Sequence, residues 1–167
     1  MTRLRLLLLV AGLALVLAVA NYDIVGKQRV VDEGTPILLE LGPADPRSLM
    51  QGDYMTLRYA DAVLPPAAIR ESLPRRGTAV LRLDDDGVAQ FARLDDGTAL
   101  GDGEHRLNFK RRLYRQGLSY GAEAFFFQEG DAARYSNAKY GVLHVDSDGN
   151  SVLVGLADAN RKMLTRR

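Results

Sequence analysis

The longest apolar stretch of the chain lies at its start. Leu6–Ala20 carries no charged side chain, and Arg3 and Arg5 precede it. These 15 residues span roughly 22 Å as a helix, less than the ~30 Å hydrocarbon core of a bilayer. The length becomes sufficient when Leu4 and the weakly polar continuation to Val25 are included. The pattern therefore predicts a single N-terminal transmembrane helix.

This segment has two interpretations in terms of protein export. The basic start, the apolar run and the triplet Ala18-Val19-Ala20 are typical of a signal peptide cleaved after Ala20. The same features fit an uncleaved signal anchor with Tyr22 in the interfacial layer. We favour the anchor, because Lys27–Glu33 has the pattern of a continuing juxtamembrane helix and not of a flexible new N-terminus. Both interpretations keep the two arginines in the cytoplasm and export the chain from Asn21 onward.

Beyond this helix, short apolar and alternating runs separated by turn residues predict strands. Tyr54–Tyr59 alternates clearly, with Met55, Leu57 and Tyr59 on one face. The other predicted strands are runs of the same kind: Ile37–Leu41, Thr78–Leu83, Val88–Leu94, Leu107–Arg115, Ala122–Phe127, Val142–Val145 and Val152–Leu156.

The sequences between these runs complete the fold prediction. Asp84–Gly87 and Asp146–Asn150 combine Asp and Gly, which accept the positive φ of hairpin turns. Short helices are predicted at Ala67–Ser72 and at Asp131–Lys139, with Asp131 as N-cap.

We therefore expect a mainly β protein, in which a single transmembrane helix precedes an antiparallel barrel-like or sandwich-like domain with one or two short helices. The expected divisions are a signal anchor over 1–25, a juxtamembrane linker over 26–36 and an extracytoplasmic β-domain over 37–167.

Charge and cysteine content exclude several classes of partner and site. The chain has 22 Lys plus Arg and 21 Asp plus Glu, a net charge of +1. Without Arg3 and Arg5, 20 basic and 21 acidic residues remain, so the exported part stands at −1. A nearly neutral domain lacks the basic field of a nucleic-acid-binding protein. The absence of cysteine excludes disulfides, thiolate metal sites and cysteine nucleophiles, so core packing alone must hold the domain together.

The densest local pattern is the octapeptide Gly52-Asp53-Tyr54-Met55-Thr56-Leu57-Arg58-Tyr59, which reads G-D-Y-x-x-L-x-Y. It resembles the motif that defines the bacterial GDYXXLXY family, and Asp45-Pro46-Arg47-Ser48-Leu49 resembles the stretch leading into that motif. The layout of one apolar helix followed by a compact domain is similar as well, so the resemblance covers nearly the whole chain. It implies a protein of no established activity, anchored in the bacterial inner membrane with a periplasmic C-terminal domain, and a multi-pass membrane protein as a partner.

Two interpretations of the octapeptide stay open. In the structural one, Gly52 permits a tight backbone before the strand and Asp53 caps a turn. In the functional one, Asp53, Arg58 and the tyrosine hydroxyls line a polar surface or groove. The candidate interaction surface comprises the fixed positions of the motif and the arginine within it: Gly52, Asp53, Tyr54, Leu57, Arg58 and Tyr59.

Three shorter segments are similar, in the same order, to type I signal peptidases. Leu49–Tyr54 is similar to the segment after that family's nucleophile, Lys110-Arg111 to its general-base strand and Phe126–Gly130 to its later F-V-P-E-G sequence. Ala44 occupies the position of the serine nucleophile, and a methyl group attacks no carbonyl. The protein is therefore expected not to be an enzyme. A serine hydrolase that uses Ser48 or another serine with the lysine remains an alternative.

The remaining candidate residues carry weaker signals. Lys110 and Arg112 lie among aromatic residues, as in sites for anionic lipid or a partner, but strand alternation divides the charges of this run between two faces. Glu129 belongs to the third signal-peptidase-like segment. His105 and His144 are far apart in sequence, without the further ligands that zinc requires, so neither a metal nor a cofactor is expected.

These observations favour a non-catalytic accessory or interaction domain of a membrane complex. A divergent signal-peptidase-like serine hydrolase and a secreted ligand-binding β-domain are the alternatives. The expected partners are the lipid bilayer, through the N-terminal helix, and a multi-pass membrane protein, while nucleic acid is not expected.

Overall fold

The computed structural model describes residues 3–42, 54–112, 117–128 and 130–165. Its first element is helix α1, Arg3–Glu33, which continues beyond the apolar run without a break. The helix is long and apolar enough to cross a membrane, and the rest of the protein buries none of its apolar window. The predicted long apolar helix is confirmed, and its exposure supports a membrane anchor.

The end of α1 is fixed to the domain that follows. Val30 is the buried residue of the helix, and Gly34 donates its backbone N–H to the Val30 carbonyl at 3.0 Å. A Cβ at Gly34 would collide with that same carbonyl oxygen, so the sharp exit from the helix requires glycine. His144 Nδ1 donates to the Val31 carbonyl at 2.6 Å. The helix therefore leaves the domain in a defined direction.

The rest of the described chain is built mostly of short strands. They are β1 Thr35–Glu40, β2 Tyr54–Thr56, β3 Arg76–Leu83, β4 Ala89–Leu94, β5 Glu104–Arg112, β6 Gly117–Tyr120, β7 Ala124–Phe126, β8 Tyr140–Val145 and β9 Ser151–Ala157. Two four-residue helices and a 3-10 turn connect them: α2 Ala67–Arg70, α3 Ala132–Tyr135 and the turn Asp61–Val63.

The strands form three antiparallel sheets. Their orders are β1-β8-β9, β4-β3-β5-β6 and the two-stranded β2-β7. The mainly β fold with short helices after an N-terminal helix is thus confirmed. All three sheets contribute to one hydrophobic core, whose most buried members include Ile37, Leu39, Met55, Leu81, Leu107, Tyr120, Leu143 and Leu156. The chain has no cysteine, so this shared core is what stabilises the domain.

Most strand predictions agree with the structure, and the differences have local causes. Two strands are shorter than predicted: β2 covers only part of the run Tyr54–Tyr59, and β7 only part of the run Ala122–Phe127. Strand β6 was not predicted, because Gly117 and Gly121 bound a run too short to distinguish from a turn. The helix predicted at Asp131–Lys139 is shorter, ending at Tyr135 as α3.

The two predicted hairpins have the same turn geometry. In the β3–β4 turn, Asp84 Oδ1 accepts the backbone N–H groups of Asp86 and Val88 at 3.0 and 2.8 Å. In the β8–β9 turn, Asp146 Oδ1 accepts those of Asp148 and Asn150 at 2.9 and 2.8 Å. Each turn places its glycine at positive φ, +78° at position 87 and +80° at position 149. The aspartate and the glycine of each sequence together specify the turn.

The surroundings of the two glycines differ. A Cβ at Gly87 would meet open space, whereas one at Gly149 would lie 3.2 Å from the backbone of Arg106 and Leu107. The Gly149 carbonyl also accepts the N–H of Asn108 at 2.9 Å. The second hairpin therefore docks closely on β5 and connects two of the sheets.

We predict that Gly149→Ala destabilises the protein more than Gly87→Ala. The positive φ alone costs about 1–2 kcal/mol in each variant, and the close backbone contact adds to this only at position 149. Urea unfolding of the full-length protein in detergent micelles, followed by circular dichroism, measures both losses. Equal losses would contradict the close docking of this turn on β5.

Candidate functional site

The octapeptide segment has one buried and one exposed face. Met55, Leu57 and Tyr59 are buried, while Tyr54 and Arg58 are exposed. The alternation predicted from the sequence is therefore present, although only the first part of the segment is a regular strand. The segment thus has an inner face that packs and an outer face open to contact.

Several other candidate residues lie outside the described part of the chain. These are the first two motif positions, the serine of the hydrolase alternative and the acidic residue of the third signal-peptidase-like segment: Gly52, Asp53, Ser48 and Glu129. The roles suggested for them stay predictions.

Backbone hydrogen bonds attach the motif segment to two sheets. Gly42 donates to the Arg58 carbonyl at 2.8 Å, and Ala60 donates to the Glu40 carbonyl at 2.9 Å. These bonds continue β1 alongside the motif. On the other side, β2 pairs antiparallel with β7. The segment therefore connects the two-stranded sheet, to which β2 belongs, with the three-stranded sheet.

The last tyrosine of the motif extends this connection to the third sheet. The Tyr59 hydroxyl donates to the carbonyls of Tyr120 and Ala122, at 2.8 and 3.1 Å. The two tyrosine rings meet edge to face, with their centroids 5.6 Å apart. The Tyr120 hydroxyl in turn donates to the Val63 carbonyl at 3.0 Å, which fixes the 3-10 turn. The pair thus joins β6, the motif and the Asp61–Val63 turn.

The surroundings of these two hydroxyls keep them protonated. Burial raises the pKa of Tyr59 well above its ordinary value, and the neighbouring Tyr120 raises it further. Burial likewise raises the pKa of Tyr120, and the positive charge of Arg70 offsets part of that rise. Both side chains therefore serve as hydrogen-bond donors within the core and not as acids or bases.

The outer face of the motif carries an exposed aromatic pair. Tyr54 lies opposite Phe126 in the β2–β7 register, and their ring centroids are 5.8 Å apart. Their exposed fractions are 41% and 75%. Phe125 and Phe127 turn the other way and contact Tyr135, at 5.0 and 5.3 Å between centroids. We call Tyr54 and Phe126 the aromatic edge.

The sequence places Phe126 in a predicted strand and in a signal-peptidase-like segment, and neither prediction assigns it to the motif. The signal was present, because strand alternation must turn one member of the run Phe125-Phe126-Phe127 away from its two neighbours. The sequence alone does not show which strand pairs with this run.

A cavity of about 350 Å³ adjoins the inner part of the motif. Leu57 and Arg58 line it together with Glu40 and Lys139, whose side chains form an ion pair at 2.8 Å. The hydrogen bond to the Glu40 carboxylate raises the pKa of Lys139. Ser136 also lines the cavity, but its hydroxyl donates to the Ala133 carbonyl at 2.7 Å. The lining can therefore contact a partner's side chain through charged and apolar groups. The Ser136 hydroxyl is already engaged and is a poor candidate for a nucleophile.

Lys110 is positioned apart from the motif. It is exposed on β5, opposite Arg76 of β3 and Ser119 of β6, and it lines a different groove from Leu57 and Arg58. The backbone of Arg112 closes β5, and its side chain lies outside the described part. The structure therefore does not bring the basic run and the motif into one site.

Within the described ranges, no group of three or more His, Cys, Asp or Glu is arranged to hold a metal ion. His144 instead uses Nδ1 in the contact with helix α1.

Comparison with known proteins identifies one family. A model described as GDYXXLXY protein matches residues 16–156, from within α1 into β9. No curated protein and no solved structure matches the chain. The similarity to type I signal peptidases has no support from these matches and stays a prediction.

We predict that Tyr59→Phe destabilises the protein by about 1–3 kcal/mol, because the buried Tyr120 carbonyl loses its hydroxyl donor. Tyr54→Phe is the matched control, since it removes the same atom from an exposed ring of the same motif. Its effect should stay within about 0.5 kcal/mol. Urea unfolding in detergent micelles measures both variants, and similar values for the two would contradict the role given to the Tyr59 hydroxyl.

The raised pKa values of Tyr59 and Tyr120 predict a loss of stability at alkaline pH. As the pH rises above about 10, tyrosines of the unfolded chain lose protons that the folded protein retains, so the unfolded state is favoured. The urea midpoint should therefore fall with pH in this range, and it should fall less steeply in Tyr59→Phe. Identical slopes in the two proteins would show that Tyr59 is not shielded from ionisation.

Proposed function

The chain belongs to the GDYXXLXY family, and we propose that it is a membrane-anchored accessory protein whose extracytoplasmic domain binds an integral membrane partner without catalysing a reaction. The observation that supports this most is the aromatic edge. Single exposed apolar residues are common on soluble domains, but a pair of exposed aromatic residues on paired strands is a frequent element of interfaces. Tyr54 and Phe126 form such a pair, with Arg58 exposed on the same motif segment.

The chemistry of this edge suits a protein partner. Aromatic residues and arginine are enriched at interfaces and dominate their binding energy. The inner face of the same segment is held by Tyr59 and by backbone bonds to β1. A rigid support of this kind reduces the entropy lost on binding.

We further propose the topology and the division of the chain. Arg3 and Arg5 stay in the cytoplasm, residues 1–25 anchor the protein in the bacterial inner membrane, and the domain from residue 37 onward lies in the periplasm. Residues 26–36 connect the two as the end of α1 and the start of β1. The partner is a multi-pass protein of the same membrane.

The continuity of α1 favours the anchor over the secreted alternative. Cleavage after Ala20 would cut through the middle of a helix whose last turn is docked on the domain by Val30 and His144. The protein should therefore keep Arg3 and Arg5 and stay in the membrane after alkaline extraction. An intact mass that begins at Asn21 would overturn the anchor.

Site-specific photo-crosslinking tests the partner surface. A photoreactive phenylalanine analogue placed at position 126 of the full-length protein should form an adduct with an integral membrane protein in intact membranes. The adduct should weaken strongly in Tyr54→Ala, because that change removes the other half of the aromatic edge.

Ile69 supplies the matched control, since it is an apolar residue with a 37% exposed side chain on α2. The same analogue at position 69 should not form this adduct, and Ile69→Ala should leave the adduct at position 126 unchanged. Absence of a membrane-protein adduct at position 126, or equal adducts from both positions, would contradict the proposal.

A further inference from the structure

A second and larger groove lies between helix α1 and the β-domain, with a volume of about 740 Å³. Tyr22 and Lys27 line its helical wall, and Arg76 and Lys110 line the opposite wall at adjoining ends of β3 and β5. This groove is separate from the motif and its aromatic edge.

The position of the groove along α1 places it at the membrane surface. The 20 residues Leu6–Val25 span about 30 Å as a helix, which equals the hydrocarbon thickness of a bilayer. Tyr22 then lies within the last turn of this span, close to the interface, and Lys27 lies two residues beyond its end. The groove between them and the β-domain therefore opens at the level of the lipid headgroups.

The cations of this groove differ from most others of the domain in lacking a carboxylate partner. Elsewhere in the described domain, ion pairs with a carboxylate are formed by Arg70, Arg82, Arg93, Arg106, Arg134, Lys139 and Arg161. Among the described residues, by contrast, no carboxylate lies within ion-pairing distance of Lys27, Arg76 or Lys110.

Two acidic residues also line the groove. Asp23 lies on the helix one turn before Lys27. Asp146 is occupied by its own turn, since Oδ1 accepts two backbone N–H groups and Oδ2 accepts the Asn150 side-chain amide at 2.9 Å. The three cations outnumber these two carboxylates, so the groove keeps a net positive charge.

We propose that this groove binds the headgroup of an anionic phospholipid in the outer leaflet of the membrane that α1 spans. Arg76 offers two N–H groups to a phosphate, and Lys27 and Lys110 add positive charge from both walls. Each such cation near an anionic surface increases binding on the order of fivefold. The proposal requires α1 to cross the bilayer but does not depend on the protein partner proposed above.

The four lysines of the chain provide an internal test. Lys27 and Lys110 line the groove, whereas Lys139 and Lys162 do not. The full-length protein is placed in nanodiscs of phosphatidylcholine, with or without phosphatidylglycerol, and labelled with an amine-reactive reagent. Phosphatidylglycerol should slow the labelling of Lys27 and Lys110 several-fold and leave Lys139 and Lys162 unchanged, and high salt should reverse the effect.

Two variants separate the groove from a general effect of the charged surface. Arg76→Gln should reduce the protection of Lys110, because the phosphate loses its main ligand. Arg82→Gln is the matched control on the same strand, where the arginine is paired with Glu104 at 3.1 Å, and it should leave the protection unchanged.

Protection of Lys27 without Lys110 would overturn the proposal, since proximity of the helix to the bilayer produces that result without any groove. Equal effects of the two arginine variants would overturn it as well. Neither result would bear on the crosslinking at position 126, so failure of this proposal and failure of the partner proposal are distinguishable.

Discussion

The hydrogen bonding of the Tyr59 hydroxyl is the interaction on which the arrangement of the three sheets depends. Its ring belongs to the segment that β1 and β7 flank, and its two acceptors lie on and just beyond β6. Tyr59 therefore links the three-stranded and the four-stranded sheet, through its backbone bridge to Leu41 and its hydroxyl bond to the Tyr120 carbonyl. Because the bond to the Tyr120 carbonyl is buried and the chain has no disulfide, a lost donor there is not easily compensated. The edge-to-face contact with Tyr120 carries the same connection onward to the 3-10 turn.

This arrangement reconciles the two interpretations of the octapeptide. The structural interpretation applies to Met55, Leu57 and Tyr59, which are buried, and the functional one concerns Tyr54 and Arg58, which are exposed. Successive side chains of a strand point to opposite faces. One face of the segment can therefore pack in the core while the other contacts a partner. The proposed partner surface is then rigid because its reverse side is part of the core.

Local features of the fold were predictable from the sequence, and nonlocal features were not. The apolar run specified α1, and the aspartates and glycines of the two turns specified the hairpins, because these signals act within a few residues. The Tyr59–Tyr120 contact joins residues 61 apart, and Phe126 became part of the candidate site only through its pairing with Tyr54. The groove beside α1 forms because the helix leaves the domain in a particular direction. That direction depends on the bond from His144 to the Val31 carbonyl, which joins residues 113 positions apart.

The docked end of α1 and the motif lie at opposite ends of β1. The strand starts at Thr35, next to the docked end of α1, and Leu41 just beyond its end bridges to Tyr59 in the motif. Six residues of extended chain separate these points by up to about 20 Å. The lipid headgroup proposed beside α1 and the protein proposed on the aromatic edge contact different residues. Because the helix is fixed to the domain at both Val30 and His144, lipid binding beside α1 would restrict the orientation in which the aromatic edge meets its partner.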